Sequence, residues 1–288
     1  MTPKTAIFLA LAGFTCFHAA TWLVSIRRAA GEFRHKPSLP EVLTGFVTNF
    51  FDTLGIGSFA TTTSIFKFWR MLPDERIPGT LNVGHTPPVL FQAFIYISVI
   101  EVEALTLAAM MTSAAAGAWF GAGVVARLPR RKVQLGMGAA LLIAAAAMLM
   151  SQLALFPGGG QSLSLRGGLL AAGMAGTLTF GAMSTIGIGF YAPCMILVSL
   201  LGMNPIASFP IMMGAGAFLM PVASARFLVS KAYVLPVAAG LATGGLLAVP
   251  LAAFVVKTLP LAAIRWIVIA VVLYAATLML RSGLQQKP

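Results

Sequence analysis

The chain is poor in charge and poorest in acid. Of its 288 residues only 9% are charged, with 7 Asp or Glu against 19 Lys or Arg. No hydrophilic stretch is long enough to form a soluble domain: from Val133 to Ala225 the sole charged residue is Arg166. The 2 cysteines, Cys16 and Cys194, each lie inside an apolar segment, which argues against a disulfide framework or a thiolate metal cage. There is no Walker-type phosphate loop, so ATP-driven work by this chain alone is not expected, and no His-Glu-x-x-His motif. Only one carboxylate, Asp52, is deep in an apolar segment, and it lacks a comparable partner for an aspartyl dyad. The expectation is a protein that is not an enzyme and carries no cofactor and no metal.

What is present is apolar sequence, 59% of the residues, with a mean hydropathy of +0.93. That places the chain among all-α polytopic membrane proteins, whose spans need about 20 apolar residues each. The net charge of +12 sits in short Lys/Arg clusters between apolar runs. Such clusters read as topology signals rather than a nucleic-acid surface, so lipid is an expected partner and nucleic acid is not. The first run, from Lys4 to Ile26, resembles a signal peptide with a weak cleavage site at His18-Ala19-Ala20. Its length and the following Arg27-Arg28 favour a retained helix ending in the cytoplasm.

The strongest pattern is an internal echo. Thr53-Leu54-Gly55-Ile56-Gly57-Ser58-Phe59-Ala60 returns as Thr185-Ile186-Gly187-Ile188-Gly189-Phe190-Tyr191-Ala192. At the same offset Met71-Leu72-Pro73 falls on Met203-Asn204-Pro205, Pro78 on Pro210 and Gly84 on Gly216, and the repeat's end, Arg127-Leu128-Pro129, is echoed by Thr258-Leu259-Pro260. The chain divides accordingly into an N-terminal helix and cytoplasmic link (1–37), a first repeat (38–156), a junction loop on the outer side (157–166) and a second repeat (167–288). Each repeat opens with a glycine-broken segment, 38–70 or 167–203. Three spans follow in each, near 77–99, 103–126 and 133–156, then 205–226, 232–256 and 260–281. Pro87-Pro88 would break or kink the first of them.

Positive charges indicate how the broken segments run. If every apolar segment crossed the membrane, the Lys and Arg residues would divide nine inside and ten outside, which is no bias. If each broken segment is instead a re-entrant hairpin with its glycines at the tip, fifteen lie inside and only Lys4, Arg166, Lys257 and Arg265 outside. A hairpin plus three spans is an odd number of crossings, so the second copy is inverted and the two tips should meet near the midplane.

At such a tip a half-helix begins with unpaired N–H groups and the positive end of its dipole, which favours an anion. The candidate binding residues are Thr53, Gly55, Gly57, Ser58, Thr61 and His85 in the first copy and Thr185, Gly187, Gly189 and Tyr191 in the second. Thr62, Thr63, Ser64 and Ser184 add hydroxyls nearby. Against this, glycines also pack helices closely, and membrane hydroxyls often bond back to their own backbone. Asp52 reads either as a proton carrier or as a cap on the second half-helix. His85, replaced by Ala217 in the echo, reads as a substrate or proton ligand or as a hydrogen-bonded packing residue. Met195, Met203, Met212, Met213 and Met220 suggest either a soft-metal path or flexible packing.

The duplicated Gly-x-Gly segments, the length and the repeat ending in Leu-Pro resemble the TauE/SafE family of sulfite and organosulfonate exporters and sulfonate uptake permeases. The resemblance spans about residues 40–280. Family members usually carry a run of three glycines where this chain has Gly55-Ile56-Gly57 and Gly187-Ile188-Gly189. The resemblance implies transport of a small sulfur-containing anion, without cofactor, by a multi-pass protein of a bacterial-type cytoplasmic membrane. Its candidate assembly is a homodimer. An anion channel and a soft-metal or thiol-compound transporter are the alternatives.

Overall fold

The computed structural model describes residues 2–28, 36–55, 57–73, 76–125, 159–184 and 190–256, with positions at intervals over 131–155 and 266–285. Among them the chain is helical, with no strand and a single isolated bridge between Ser162 and Met203. The helices are α1 (Pro3–Arg28), α2 (Leu39–Thr53), α3 (Ser58–Trp69), α4 (Ile77–Val99), α5 (Ala104–Val125), α6 (Gly167–Ser184), α7 (Tyr191–Leu200), α8 (Ser208–Val229) and α9 (Leu235–Val256). Four stretches are long and apolar enough to cross a membrane: Pro3–Arg27, Ala104–Gly121, Pro205–Val229 and Leu235–Phe254. The protein is an all-α membrane protein. The described residues of 131–150 and 266–285 are helical as well, and Gly138 lies against Leu280.

The boundaries follow from local chemistry. Pro40 in the first turn suits the start of α2, and the Glu41 carboxylate accepts the Ser38 N–H at 2.7 Å, half of a capping box. The helix stops at Gly55 and Gly57, whose φ angles of 89° and 85° are open to glycine and strained for any L side chain. Arg70 closes α3 in a left-handed conformation, with the Met71 N–H on the Phe66 carbonyl at 3.0 Å. The expected break at Pro87-Pro88 does not occur. The chain stays helical through both, and each proline only removes one N–H from the ladder of α4.

Packing is organised by two matched helix pairs around a central one. α2 runs alongside α9, where side chains added at Gly240 and Gly244 would strike Glu41, Val42 and Phe46. α5 runs alongside α6, where Gly117 and Gly181 rest on the backbone at Leu178 and Ala114. Small residues let these backbones approach, which is how helices associate in a solvent as apolar as themselves. Between the pairs α4 packs on α8. Under the sequence echo α2 corresponds to α6, α3 to α7, α4 to α8 and α5 to α9, so the two outer pairs are counterparts of one another.

The ends of the helices gather into two groups. At one end the Arg76 guanidinium donates to the carbonyls of Lys231 and Tyr233, the Tyr233 hydroxyl meets Ser25 at 2.8 Å, and Arg226 lies 5.1 Å over the Trp119 ring. Phe66 and Leu72, on either side of the end of α3, pack there with Ile77, Leu81, Val237 and Leu241. At the other end Glu103 pairs with Arg166 at 3.6 Å, the Glu103 N–H bonds the Leu163 carbonyl, and the Asn204 N–H, just past α7, bonds the Ser162 carbonyl, both at 2.9 Å. α1 stands outside the duplicated part and lies on α8, with Phe14 against Phe218.

Candidate functional site

One group of buried polar side chains is drawn from three consecutive helices. Asn49, Asp52, Thr53, Ser58, Thr62, His85 and Gln92 are each at most 2% exposed, and all come from α2, α3 and α4. An apolar interior has no water to compensate a buried carboxylate, so Asp52 must be met by donors. It is met by several. Its Oδ1 accepts the Ser58 N–H at 2.6 Å, and its Oδ2 accepts Gln92 Nε2 at 3.0 Å. The hydroxyls of Ser58 and Tyr191 are turned toward the same carboxylate.

This arrangement is produced by the break between α2 and α3. The N-cap position of α3 is Gly57, which has no side chain to cap with, so the first free N–H of the helix turns to Asp52, still on α2. The carboxylate therefore sits where the dipole of α3 favours negative charge. Tyr191 is the first residue of α7, so its hydroxyl carries the contact across from the second broken segment to the first. A side chain added at Gly57 would come within 3.9 Å of the Tyr191 ring, and one at Gly55 within 3.5 Å of Phe209 and 3.7 Å of Met195.

Around this centre the second layer is ordered. Gln92 Nε2 also donates to the Thr53 hydroxyl at 2.9 Å, and the Tyr96 hydroxyl donates to the Thr53 carbonyl at 2.7 Å. Tyr96 stacks on Phe209, centroids 5.1 Å apart. His85 is held on both ring nitrogens, Nδ1 by Asn49 Oδ1 at 3.1 Å and Nε2 by the Thr62 hydroxyl at 3.0 Å. Because the Asn49 amide donates to the Gly45 carbonyl at 2.7 Å, its oxygen faces His85, which fixes the ring proton on Nδ1.

The residues singled out in the sequence fall into three groups. Asp52, Gly55, Gly57, Ser58 and Tyr191 meet at one place, and His85 joins through Thr62, whose hydroxyl lies 2.7 Å from the Ser58 carbonyl and has one proton to share between that carbonyl and His85 Nε2. Thr53 and Thr61 bond back to their own helices: Thr53 donates to the Asn49 carbonyl at 2.7 Å and Thr61 to the Ser58 carbonyl at 2.9 Å. Ser184 does the same to Gly181. Thr185, Gly187 and Gly189 lie outside the described residues. Met203, Met212, Met213 and Met220 are part of the main apolar core.

Three residues of the site carried no flag in the sequence: Asn49, Gln92 and Tyr96. Their one available signal was a single amide or phenol inside an otherwise apolar run, as in Val89-Leu90-Phe91-Gln92-Ala93-Phe94. Among the described residues no cluster of His, Cys, Asp or Glu is arranged to hold a metal ion.

Fold and site together define a membrane protein with a buried polar centre where α2, α3 and α4 meet the start of α7. No family model matches the chain, and neither the curated proteins nor the solved structures compared with it yield a match.

Proposed function

We propose that the protein is a proton-coupled secondary transporter of a small sulfur-containing or organic oxyanion, of the sulfite and sulfonate class. The observation that carries this reading is the set of donors around Asp52. A helix N-terminal N–H, two hydroxyls and an amide converge on one carboxylate. The same donor types would hold a sulfonate, sulfite or carboxylate. An ionised Asp52 competes with such a substrate for the dipole of α3; a protonated Asp52 does not. Proton and anion are thereby linked without a cofactor.

The re-entrant, inverted arrangement belongs to this proposal. Supporting it, α2 starts beside Gly240 and the end of α3 packs on Ile77, both near the Arg76 end of the molecule. α6 starts beside Arg166 and the segment after α7 bonds Ser162, at the opposite end. Two hairpins entering from opposite faces and touching through Asp52 and Tyr191 make the arrangement expected of an alternating-access carrier. With the Lys and Arg count, it favours a multi-pass orientation in a bacterial-type cytoplasmic membrane with the Arg76 end inside. The similarity to TauE/SafE proteins noted from the glycine segments points to the same substrate class.

The test is uptake by proteoliposomes under an imposed pH gradient, with sulfite, sulfonates, thiosulfate and carboxylates as substrates. Accumulation of one of these above its outside concentration, abolished by collapsing the gradient, is the expected result. Downhill flux alone would identify a channel, and no flux with any of them would overturn the substrate class.

A further inference from the structure

We infer that Gln92 converts protonation of Asp52 into anion binding by turning its side-chain amide about. The inference rests on the proton-coupled reading above and names the residue through which that coupling acts. Its starting point is an imbalance. Gln92 is fully buried, and its Nε2 serves two acceptors, Asp52 Oδ2 at 3.0 Å and the Thr53 hydroxyl at 2.9 Å. Its Oε1 is buried with no hydrogen-bond partner. An orphaned buried acceptor costs about 1–3 kcal/mol, so something holds the amide in this orientation.

What holds it is the ionised carboxylate. With Asp52 accepting from the Ser58 N–H and from Gln92, reversal would set the amide oxygen against a carboxylate oxygen at 3.0 Å. One proton taken from the aqueous phase onto Oδ2 inverts this preference. The new Oδ2–H donates to Gln92 Oε1 once the amide has turned. The Thr53 hydroxyl fills the second lone pair by leaving the Asn49 carbonyl, to which it now donates at 2.7 Å. Both lone pairs of the amide oxygen are then used, and Nε2 points where Oε1 points now, with two N–H donors that no protein group claims. An anion beside the first tip supplies the missing acceptor. One proton and one monovalent anion thus enter the site together, and neither is held well alone.

The other titratable groups facing Asp52 are few. Tyr191 comes from α7 and Tyr96 from α4, and His85 of α4 bonds Asn49 one turn before Asp52. α6 and α9 contain no titratable residue, and the only charged residue of α8, Arg226, lies over Trp119 near its C-terminal end.

Infrared difference spectra of the reconstituted protein between high and low pH read the switch without any substrate. The expected result is a carboxylic-acid band, missing in Asp52→Asn, that appears together with a shift of a side-chain amide band missing in Gln92→Met. A second arm measures binding of methanesulfonate, which stays ionised throughout. Wild type binds it with proton uptake, and Gln92→Met, with its carboxylic-acid band and thermal stability retained, binds it about tenfold more weakly at low pH, the loss of one hydrogen bond to a charged ligand. An amide band that stays still while the carboxyl titrates overturns the inference, even where proton-coupled uptake is observed. Coupled movement of both bands in a protein that binds no methanesulfonate supports the switch and overturns the sulfonate assignment instead.

Discussion

The first broken segment and the second share a backbone pattern and almost none of its chemistry. Under the echo Asp52 corresponds to Ser184, Ser58 to Phe190, Asn49 to Gly181, Thr62 to Cys194, His85 to Ala217, Gln92 to Ser224 and Tyr96 to Leu228. Of the polar centre only Thr53 keeps its residue type, as Thr185; the other members have smaller or apolar counterparts, and Tyr191 stands where the first copy has Phe59 and faces Asp52. The duplicated part is thus the scaffold: a helix stopped by glycines, a half-helix starting at the break, and flanking spans. The electrostatics were placed once. A symmetric pair of carboxylates where the two segments touch would repel, and one of the two would have to stay protonated. A single Asp52, served by one donor from the other copy, avoids that conflict.

The sharpest way to break this comparison is at the level of topology, where the effect is all or nothing. Cysteines placed at Arg70 and Arg131 should react with an impermeant thiol reagent from the cytoplasmic side, and one at Gly159 from the outer side. Reaction of positions 70 and 131 from opposite faces would end the hairpin arrangement, and the inverted relation of the copies with it.

Next in size is the asymmetry of the two counterparts, Asp52 and Ser184. Asp52→Asn should abolish accumulation driven by a pH gradient, whereas Ser184→Ala, whose hydroxyl serves only the Gly181 carbonyl, should not. Wild-type pH dependence in Asp52→Asn would leave Asp52 a helix cap and nothing more.

Where the copies are alike, they should fail alike. Gly57 has a φ of 85°, which costs a β-branched residue on the order of 1–3 kcal/mol. Gly57→Val and Gly189→Val should both eliminate ligand-induced thermal stabilisation while the variants still purify as folded protein. Full ligand response in both would remove the site from the tips.

The smallest effects sharpen the role of the hydroxyls. Tyr191→Phe removes the hydroxyl that faces Asp52 from the second copy and should lower stability by about 0.5–1.5 kcal/mol, with most of that loss absent in an Asp52→Asn background. Thr53→Val should cost about 1–2 kcal/mol, read as a fall in unfolding temperature, because its hydroxyl holds the Gln92 amide and the Asn49 carbonyl together. Equal losses for Tyr191→Phe in both backgrounds would show that the tyrosine acts through packing alone.

Most of the element pattern was legible in the sequence, because in a membrane the length of an apolar run and its glycine breaks decide where helices begin and end. A helix stands where each span was expected over 77–99, 103–126 and 232–256, as α4, α5 and α9, and the last two contain stretches apolar and long enough to cross a membrane. The break that Pro87-Pro88 could have caused shows the limit of local reasoning: the helix packed against α8 and α9 continues through both prolines. The candidate site was legible only in part. Asp52 and the glycines stand out as anomalies in their own segments, whereas Gln92 becomes informative only when its partner, 40 positions away, is known. Among the hydroxyls, sequence alone could not separate Ser58, which reaches Asp52, from Thr61, which bonds its own helix. Sequence by itself determined the class of protein and the position of the first break, since these depend on hydrophobicity and backbone freedom, properties of the chain read in order. Tertiary structure alone decided which donors surround Asp52 and that Tyr191 crosses from one copy to the other, because a polar group in an apolar interior is defined by the partner that satisfies it, and that partner is set by how helices pack.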